Sequence, residues 1–232
     1  MKIIATAAQW LFILCLPLLL LTTSIGWAVN SLWLYNNGFI KYNVSSTTGL
    51  AGAELEKAAT RLIRYFNSND EFISVTVIKD GQPFELFNQR EILHLKDVKG
   101  LIRLDYWVLA GTALYALGYV LSRFSGKQYR RLAWSVVGGS SLTLALMLAL
   151  GLGVWLNFDQ FFWQFHLFSF ANELWQLDPT RDYLIMLFPG GFWFDVTAFC
   201  VLVTAGLAII KGGLAVSYLV LDRRRSTADP SF

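Results

Sequence analysis

Two histidines are the residues of this chain best suited to acid–base chemistry, because imidazole titrates near neutral pH. They are His94, in the run EILHLKDVKGLI, and His166, in the run FHLFSFANELWQLDP, and the 232-residue chain has no others. One imidazole can remove a proton from a nucleophile while the other gives one to a leaving group. His94 taken alone is more typical of a buried histidine that hydrogen-bonds a neighbour, so the interpretation depends on where the fold places the two.

The composition indicates an integral membrane protein. Hydrophobic residues make up 55% of the chain and charged residues only 15%, and the apolar residues form long blocks. A bilayer core about 30 Å thick requires about 20 apolar residues per helical span. Four segments reach this length, and they are 9–29, 105–123, 132–158 and 192–221. The predicted fold class is therefore a mainly α-helical membrane protein with four transmembrane helices and a small α+β extracellular cap.

The distribution of Lys and Arg predicts the orientation. Basic residues cluster between the second and third spans and at the end of the fourth, and cytoplasmic segments carry such an excess. With both termini in the cytoplasm, residues 30–104 and 159–191 lie together on the outer face, and each carries one histidine. The net charge of +3 is then explained by topology and gives no reason to expect nucleic-acid binding. Two histidines on one face of the membrane favour proton transfer over a purely structural role.

Five segments describe the predicted organisation. They are the first transmembrane helix at 1–30, the cap at 31–104, the second and third transmembrane helices at 105–158, an aromatic-rich outer or interfacial loop at 159–191, and the fourth transmembrane helix with a basic cytoplasmic tail at 192–232. The first span also resembles a signal peptide, but Pro17 and its length favour an uncleaved anchor.

The cap sequence predicts a few short elements. It begins with the polar, turn-prone stretch NNGFIKYNVSSTTGL, and apolar residues then recur at helical spacing as far as Phe66, which predicts an amphipathic helix of about 15 residues. The runs FISVTVI and QPFELF predict a hairpin around Asp80 and Gly81. Asn88 and Glu91 have the spacing of a capping box at the start of the helix that carries His94.

The outer loop at 159–191 supplies further candidates. Phe165 and Trp175 are predicted to form rigid walls that hold a substrate, and the Asn172 amide can stabilise negative charge on a carbonyl oxygen. Asp182 is a candidate for orienting a histidine. We predict that these four residues bind the substrate. The alternative for most aromatics of this loop is a belt at the headgroup level.

A metal site is the competing interpretation of the histidines. Asp97, Asp178 and Asp182 could supply further ligands, but no HExxH or similar spacing supports such a site. The two cysteines, Cys15 and Cys200, fall in the first and fourth spans and form no cluster with the histidines. We therefore expect no metal site.

The motif around His94, followed some seventy residues later by FHLFSFANELWQLDPTRDYLIMLFPGGFWFD, resembles the lipoprotein intramolecular transacylases, the Lit family of integral membrane proteins. The resemblance implies four spans, an extracellular cap and an enzyme of the cell membrane that needs no cofactor. The substrate that the resemblance implies is a diacylated lipoprotein. Its acyl chain on the second glycerol carbon moves to the α-amino group of its own N-terminal cysteine, and the product is the lyso-form lipoprotein. The family's two catalytic histidines match His94 and His166.

The residues are compatible with this reaction, because attack of an amine on an ester requires a base and the leaving alkoxide requires a proton. As a first hypothesis, His94 is the base and His166 gives acid or oxyanion support, although the sequence also allows the reverse. Two other functions remain open. The chain could be a non-enzymatic membrane scaffold whose cap binds a protein, or a different lipid acyltransferase or hydrolase.

Overall fold

The structure, a computed structural model, describes residues 2–228, so the last four residues of the predicted basic tail lie outside it. It is mainly helical with one small sheet, as predicted. The elements in chain order are α1 (Lys2–Val29), α2 (Leu32–Lys41), α3 (Val44–Thr48), α4 (Gly52–Phe66), β1 (Thr76–Lys79), β2 (Gln82–Glu85), α5 (Gln89–Ser125), α6 (Tyr129–Leu156), α7 (Phe158–Ser169), α8 (Tyr183–Leu187) and α9 (Gly190–Ala228).

Four helices, α1, α5, α6 and α9, have the length and apolar composition needed to cross a membrane. This confirms the predicted number of spans. Helix α5 has 37 residues and is longer than a bilayer core requires. Charged side chains occur throughout its first seventeen positions, 89–105, whereas the next stretch, 106–123, holds a single charge at its end. The part of α5 that is apolar enough to cross a bilayer is therefore 106–123, and His94 lies outside it.

The described residues form two compact units. The first unit comprises residues 2–25, 106–152 and 200–228, and the second comprises 26–105 and 153–199. In the first unit the helices pack closely where side chains are small. A Cβ added to Gly139 would lie 2.7 Å from the Leu16 side chain, so the glycine allows α6 to approach α1. Leu16, Leu20 and Ala208 form an apolar core in this unit.

The second unit contains α2, α3, α4, the hairpin, α7 and α8, together with the first part of α5 and of α9. The amphipathic helix and the hairpin were predicted correctly. Helix α4 has 15 residues and buries one face, and β1 pairs with β2 antiparallel from Thr76 opposite Glu85. Asp80 and Gly81 make the turn with positive φ angles of 51° and 76°, which matches the right-handed twist of the strands.

Two predictions for this unit were wrong in part. The stretch 36–50, read as turn-prone, forms most of α2 and all of α3. Phe39 lies four residues after Tyr35, on the same face of α2, and both side chains are buried. The loop predicted at 159–191 begins as a helix, α7, and the third span ends at Leu156 rather than at residue 158. The Asn157 side chain accepts a hydrogen bond from the Gln160 amide at 3.0 Å, which caps a new helix at that point.

The start of α9 packs tightly against α2. A Cβ at Gly38 would lie 2.4 Å from the Phe192 ring, and a Cβ at Gly191 would lie 2.5 Å from the Tyr42 ring. The Tyr42 hydroxyl donates to the Asp195 carboxylate at 2.7 Å, and the Lys41 ammonium donates to the same oxygen at 2.6 Å. Two glycines and one carboxylate thus fix the entry into the fourth long helix.

Candidate active site: a buried pair of histidines

The N-terminal cap of α5 fixes the position of His94. The Asn88 side chain accepts hydrogen bonds from the amides of Arg90 and Glu91 at 3.0 and 3.2 Å. The Glu91 carboxylate accepts from the Asn88 amide at 2.7 Å, which completes the predicted capping box. Its second oxygen accepts from the Leu184 amide at 2.6 Å. Glu91, three residues before His94, therefore caps α5 and also binds the start of α8.

Glu91 is almost completely buried, with 1% of its surface exposed. Burial raises the pKa of its carboxyl group, and the hydrogen bonds from Leu184 and Asn88 oppose that rise. An unpaired carboxylate in such a place would be costly, and the backbone amides that point at it supply the compensation. This end of α5 is therefore held by specific contacts and not by apolar packing alone.

Helix α7 holds His166 in one ring orientation. The Nδ1 atom lies 2.7 Å from the carbonyl oxygen of Phe162, one turn earlier. A carbonyl oxygen only accepts hydrogen bonds, so Nδ1 carries the proton of the neutral imidazole. The lone pair is consequently on Nε2, which is the atom available to take up a proton.

The two imidazoles face each other inside the second unit. Their ring centroids are 6.2 Å apart and their planes differ by 28°. His94 is 6% exposed and His166 is 8% exposed. Phe170 contacts both rings, with centroid distances of 5.0 Å to His94 and 5.5 Å to His166. The structure therefore brings together the two residues predicted to do the chemistry.

Aromatic rings surround His166. Phe162, Trp175 and Phe165 pack against it with centroid distances of 4.4, 4.8 and 5.5 Å, and Trp163 packs edge-on against Trp175 at 4.8 Å. Such walls keep water away and lower the local dielectric constant, which strengthens every electrostatic interaction inside. Phe165 and Trp175, both predicted from the sequence, are thus beside a histidine.

The surroundings keep both histidines neutral at pH 7. Burial, with smaller effects of His166 and Arg90, lowers the pKa of His94 to about 4, while Asp97 opposes that shift. Burial also lowers the pKa of His166, and the Phe162 carbonyl opposes it. The His94 Nδ1 atom is buried and has no hydrogen-bond partner among the described residues. Since buried polar atoms are almost always paired, this atom is a natural place for a substrate group.

The other two predicted residues, Asn172 and Asp182, form their hydrogen bonds with residues other than the histidines. The Asn172 amide donates at 2.8 Å to the carboxylate of Asp97, which lies three residues after His94. Asp182 is 1% exposed; it accepts from the Asn88 side chain at 2.9 Å and from the Asp178 amide at 2.7 Å. The hydrogen bonds of Asp182 thus join the segment after Trp175 to the cap of α5.

Sequence reasoning did not single out Phe170 among the aromatic residues of the outer loop, and it missed Arg90. Phe170 follows His166 by four residues, a spacing that places two residues on one helix face, and that signal was available. The Arg90 guanidinium donates to the carbonyl oxygens of Glu173 at 2.7 Å and Leu174 at 3.3 Å. No sequence pattern indicates a contact between residues so far apart. Within residues 2–228, no group of three or more His, Cys, Asp or Glu side chains is arranged to hold a metal ion.

The chain is similar to a family of membrane proteins in both sequence and structure. The model of the family described as lipoprotein intramolecular transacylase Lit matches residues 10–193. The membrane-integral lipoprotein intramolecular transacylase Lit from Bacillus cereus has a solved structure that superposes with a TM-score of 0.83 at 21% identity, covering 97% of this chain and 100% of that one. A form of the same protein with a histidine-to-alanine substitution gives a TM-score of 0.79 at 21% identity, covering 97% of both chains.

A protein from Aquifex aeolicus described as uncharacterized is 27% identical over 141 residues, which is 59% of this chain. The match spans 60% of that relative's length.

The fold and the site define a multi-pass helical membrane protein with a buried pair of histidines. The chain belongs to the lipoprotein intramolecular transacylase Lit family, which is a family of acyltransferases. The family predicted from the two histidine motifs is therefore confirmed, and so is the enzyme class.

Proposed function

We propose that this protein moves the acyl chain on the second glycerol carbon of a diacylated lipoprotein to the α-amino group of the same lipoprotein's N-terminal cysteine. The product is the lyso-form lipoprotein. The observation that carries the proposal is the buried pair of neutral imidazoles, 6.2 Å apart, in a member of this family. Donor ester and acceptor amine belong to one molecule, so catalysis consists largely of bringing them together.

His166 is the general base in this proposal. Its Nε2 lone pair is free because Nδ1 donates to Phe162, and the carbonyl supports the charged ring that forms when a proton arrives. Burial lowers the pKa of His94 to about 4, and so weak a base removes protons poorly near neutral pH. The reverse assignment was the first hypothesis from the sequence, and the environments of the two rings favour this one.

The steps balance as an isomerisation. The neutral amine attacks the ester carbonyl carbon, an N–C bond forms, and the amine proton passes to His166 Nε2. The carbonyl oxygen then carries negative charge, and His94 Nδ1 stabilises it by donating a hydrogen bond. When the C–O bond breaks, the glyceryl oxygen takes the proton back from His166. An amide replaces the ester, the mass is unchanged, and both imidazoles return to their neutral state.

In this proposal three of the remaining predicted residues contact the substrate, and the fourth, Asp182, supports them. Phe165 and Trp175 pack against the acyl chain beside His166. The Asn172 amide has a second N–H in addition to the one bonded to Asp97, and that N–H is available to a polar group of the lipoprotein. Asp182 contributes indirectly, by fastening the segment after Trp175 to Asn88.

The orientation of the protein in the cell membrane is inferred from the distribution of its basic residues. Both termini are cytoplasmic and the second unit is on the outer face, because Lys127, Arg130 and Arg131 lie between α5 and α6 and Arg223 to Arg225 lie at the end of α9. Excess basic residues of this kind stay on the cytoplasmic side. The substrate lipoprotein and the membrane lipids are the expected partners.

A synthetic diacylated lipopeptide with a free N-terminal cysteine tests the proposal. The purified protein should convert it to a product of unchanged mass that carries one chain on the amine, as read by tandem mass spectrometry. Loss of an acyl chain to water would instead identify a hydrolase. An unaltered substrate in the presence of folded protein would favour the non-enzymatic scaffold.

A further inference from the structure

Residues 172–175 connect the two histidines physically. Trp175 packs on the His166 ring at a centroid distance of 4.8 Å. The three residues before it are hydrogen-bonded to α5, the helix that carries His94. Asn172 donates to the Asp97 carboxylate at 2.8 Å, and the carbonyl oxygens of Glu173 and Leu174 accept from the Arg90 guanidinium.

The two anchors on α5 lie on either side of His94. Arg90 precedes it by four residues and Asp97 follows it by three, so all three side chains share one helix face. Each anchor is one turn, or about 5 Å, from the histidine along the helix axis. The segment therefore crosses the His94 face of α5, is fixed above and below the imidazole, and continues into the residue that packs on His166.

We propose that Arg90 and Asp97 are positioning residues that clamp residues 172–175 across His94 and thereby set the distance between the two imidazoles. The proposal rests on the transacylase function proposed above and adds two residues to it. Neither side chain touches the reacting atoms; each acts by fixing the segment that carries Trp175. A misplacement of about 1 Å between catalytic groups is enough to slow a reaction about 100-fold.

The same two side chains have opposite electrostatic effects on His94. Asp97 raises and Arg90 lowers the pKa of that imidazole. The charged or titratable groups that act on His94 are these two from its own helix and His166 from α7. If a substitution at Arg90 or Asp97 only loosened the site, water would reach the His94 ring and raise its pKa in either case. Removal of one charge instead changes the pKa of His94 in opposite directions at the two positions, so the direction of the change separates loosening from a local charge effect.

Four variants test the clamp by kinetics. Asp97→Ala and Arg90→Met remove the hydrogen bonds and should lower kcat about 100-fold with little change in KM. Asp97→Asn keeps an acceptor oxygen for Asn172 and should retain most of the wild-type kcat. Arg103→Ala is the matched control, because Arg103 is an exposed cation on the same helix that donates to Ser68 and Asn69; its kcat should equal the wild-type value.

Histidine NMR gives a second readout that needs no substrate. The chain has only two histidines, so labelled imidazole signals can be assigned with one substitution and titrated in detergent. We expect the pKa of His94 to fall in Asp97→Asn and to rise in Arg90→Met. A rise in both, or wild-type kcat in Asp97→Ala and Arg90→Met, would overturn the clamp. A wild type that folds but fails to transacylate would count against the proposed function instead.

Discussion

At the scale of single residues, the unusual feature is a pair of imidazoles that the protein keeps neutral and apart from water. A buried histidine with an unpartnered nitrogen adds little to stability, and it is costly when it must accept a charge. His94 fits that description, because its Nδ1 atom lacks a partner among residues 2–228. Such an arrangement is expected where a substrate group completes the hydrogen bonds of the site.

The lowered pKa of His94 predicts an acid-labile contribution to stability. The folded value is about 4 and the unfolded value is about 6.5, so the unfolded chain binds the proton first. The stabilising effect of keeping the ring neutral is complete above pH 6.5 and is lost as the pH falls towards 4. Between pH 7 and pH 4.5 we expect wild type to lose roughly 2 to 3 kcal/mol more unfolding free energy than His94→Gln.

Thermal unfolding in detergent at the two pH values measures this difference. All other ionisable groups are present in both proteins, so their contributions cancel in the comparison. Equal losses in wild type and His94→Gln would contradict the assigned environment of His94.

At the scale of elements, the approach of α2 to the start of α9 depends on glycine. A Cβ at Gly38 would overlap the Phe192 ring at 2.4 Å, whereas a Cβ at Gly100 meets nothing within 4 Å. Gly38→Ala should therefore destabilise the protein by about 1 to 3 kcal/mol. Gly100→Ala, in the interior of α5, should be neutral or stabilising by up to about 1 kcal/mol. Thermal melts of both variants at pH 7 give the comparison, and equal melting temperatures would refute the packing described for Gly38.

The elements also show what the sequence could and could not predict. Asn88 and Glu91 form the predicted capping box because that signal is local. Helices α2 and α7 were missed because polar or aromatic residues interrupt their apolar pattern. The rings that pack on Tyr35 in α2, Phe188 and Phe192, also come from a distant part of the chain. The pairing of His94 with His166 was predictable from topology, but the contacts of Arg90 with Glu173 and Leu174 depend on where the segment after α7 lies against α5.

At the scale of the whole molecule, the account requires the second unit to face outward. In a background with both native cysteines replaced by alanine, Gln82→Cys places a thiol at an exposed position of the hairpin, and Arg130→Cys places one between α5 and α6. In intact cells a membrane-impermeant maleimide should label Gln82→Cys at once. It should label Arg130→Cys only after the membrane is permeabilised. The opposite pattern would reverse the proposed orientation.

The measurement closest to the central claim is a crossover assay with the histidine variants. Wild type, His94→Gln and His166→Gln receive a mixture of two diacylated lipopeptides that differ in peptide mass, one of them with deuterated acyl chains. We predict that wild type moves each chain within its own molecule, without crossover, and that both variants are at least about 100-fold slower while melting near the wild-type temperature. Crossover products, or a folded histidine variant that keeps the wild-type rate, would contradict an intramolecular transfer by this pair of histidines.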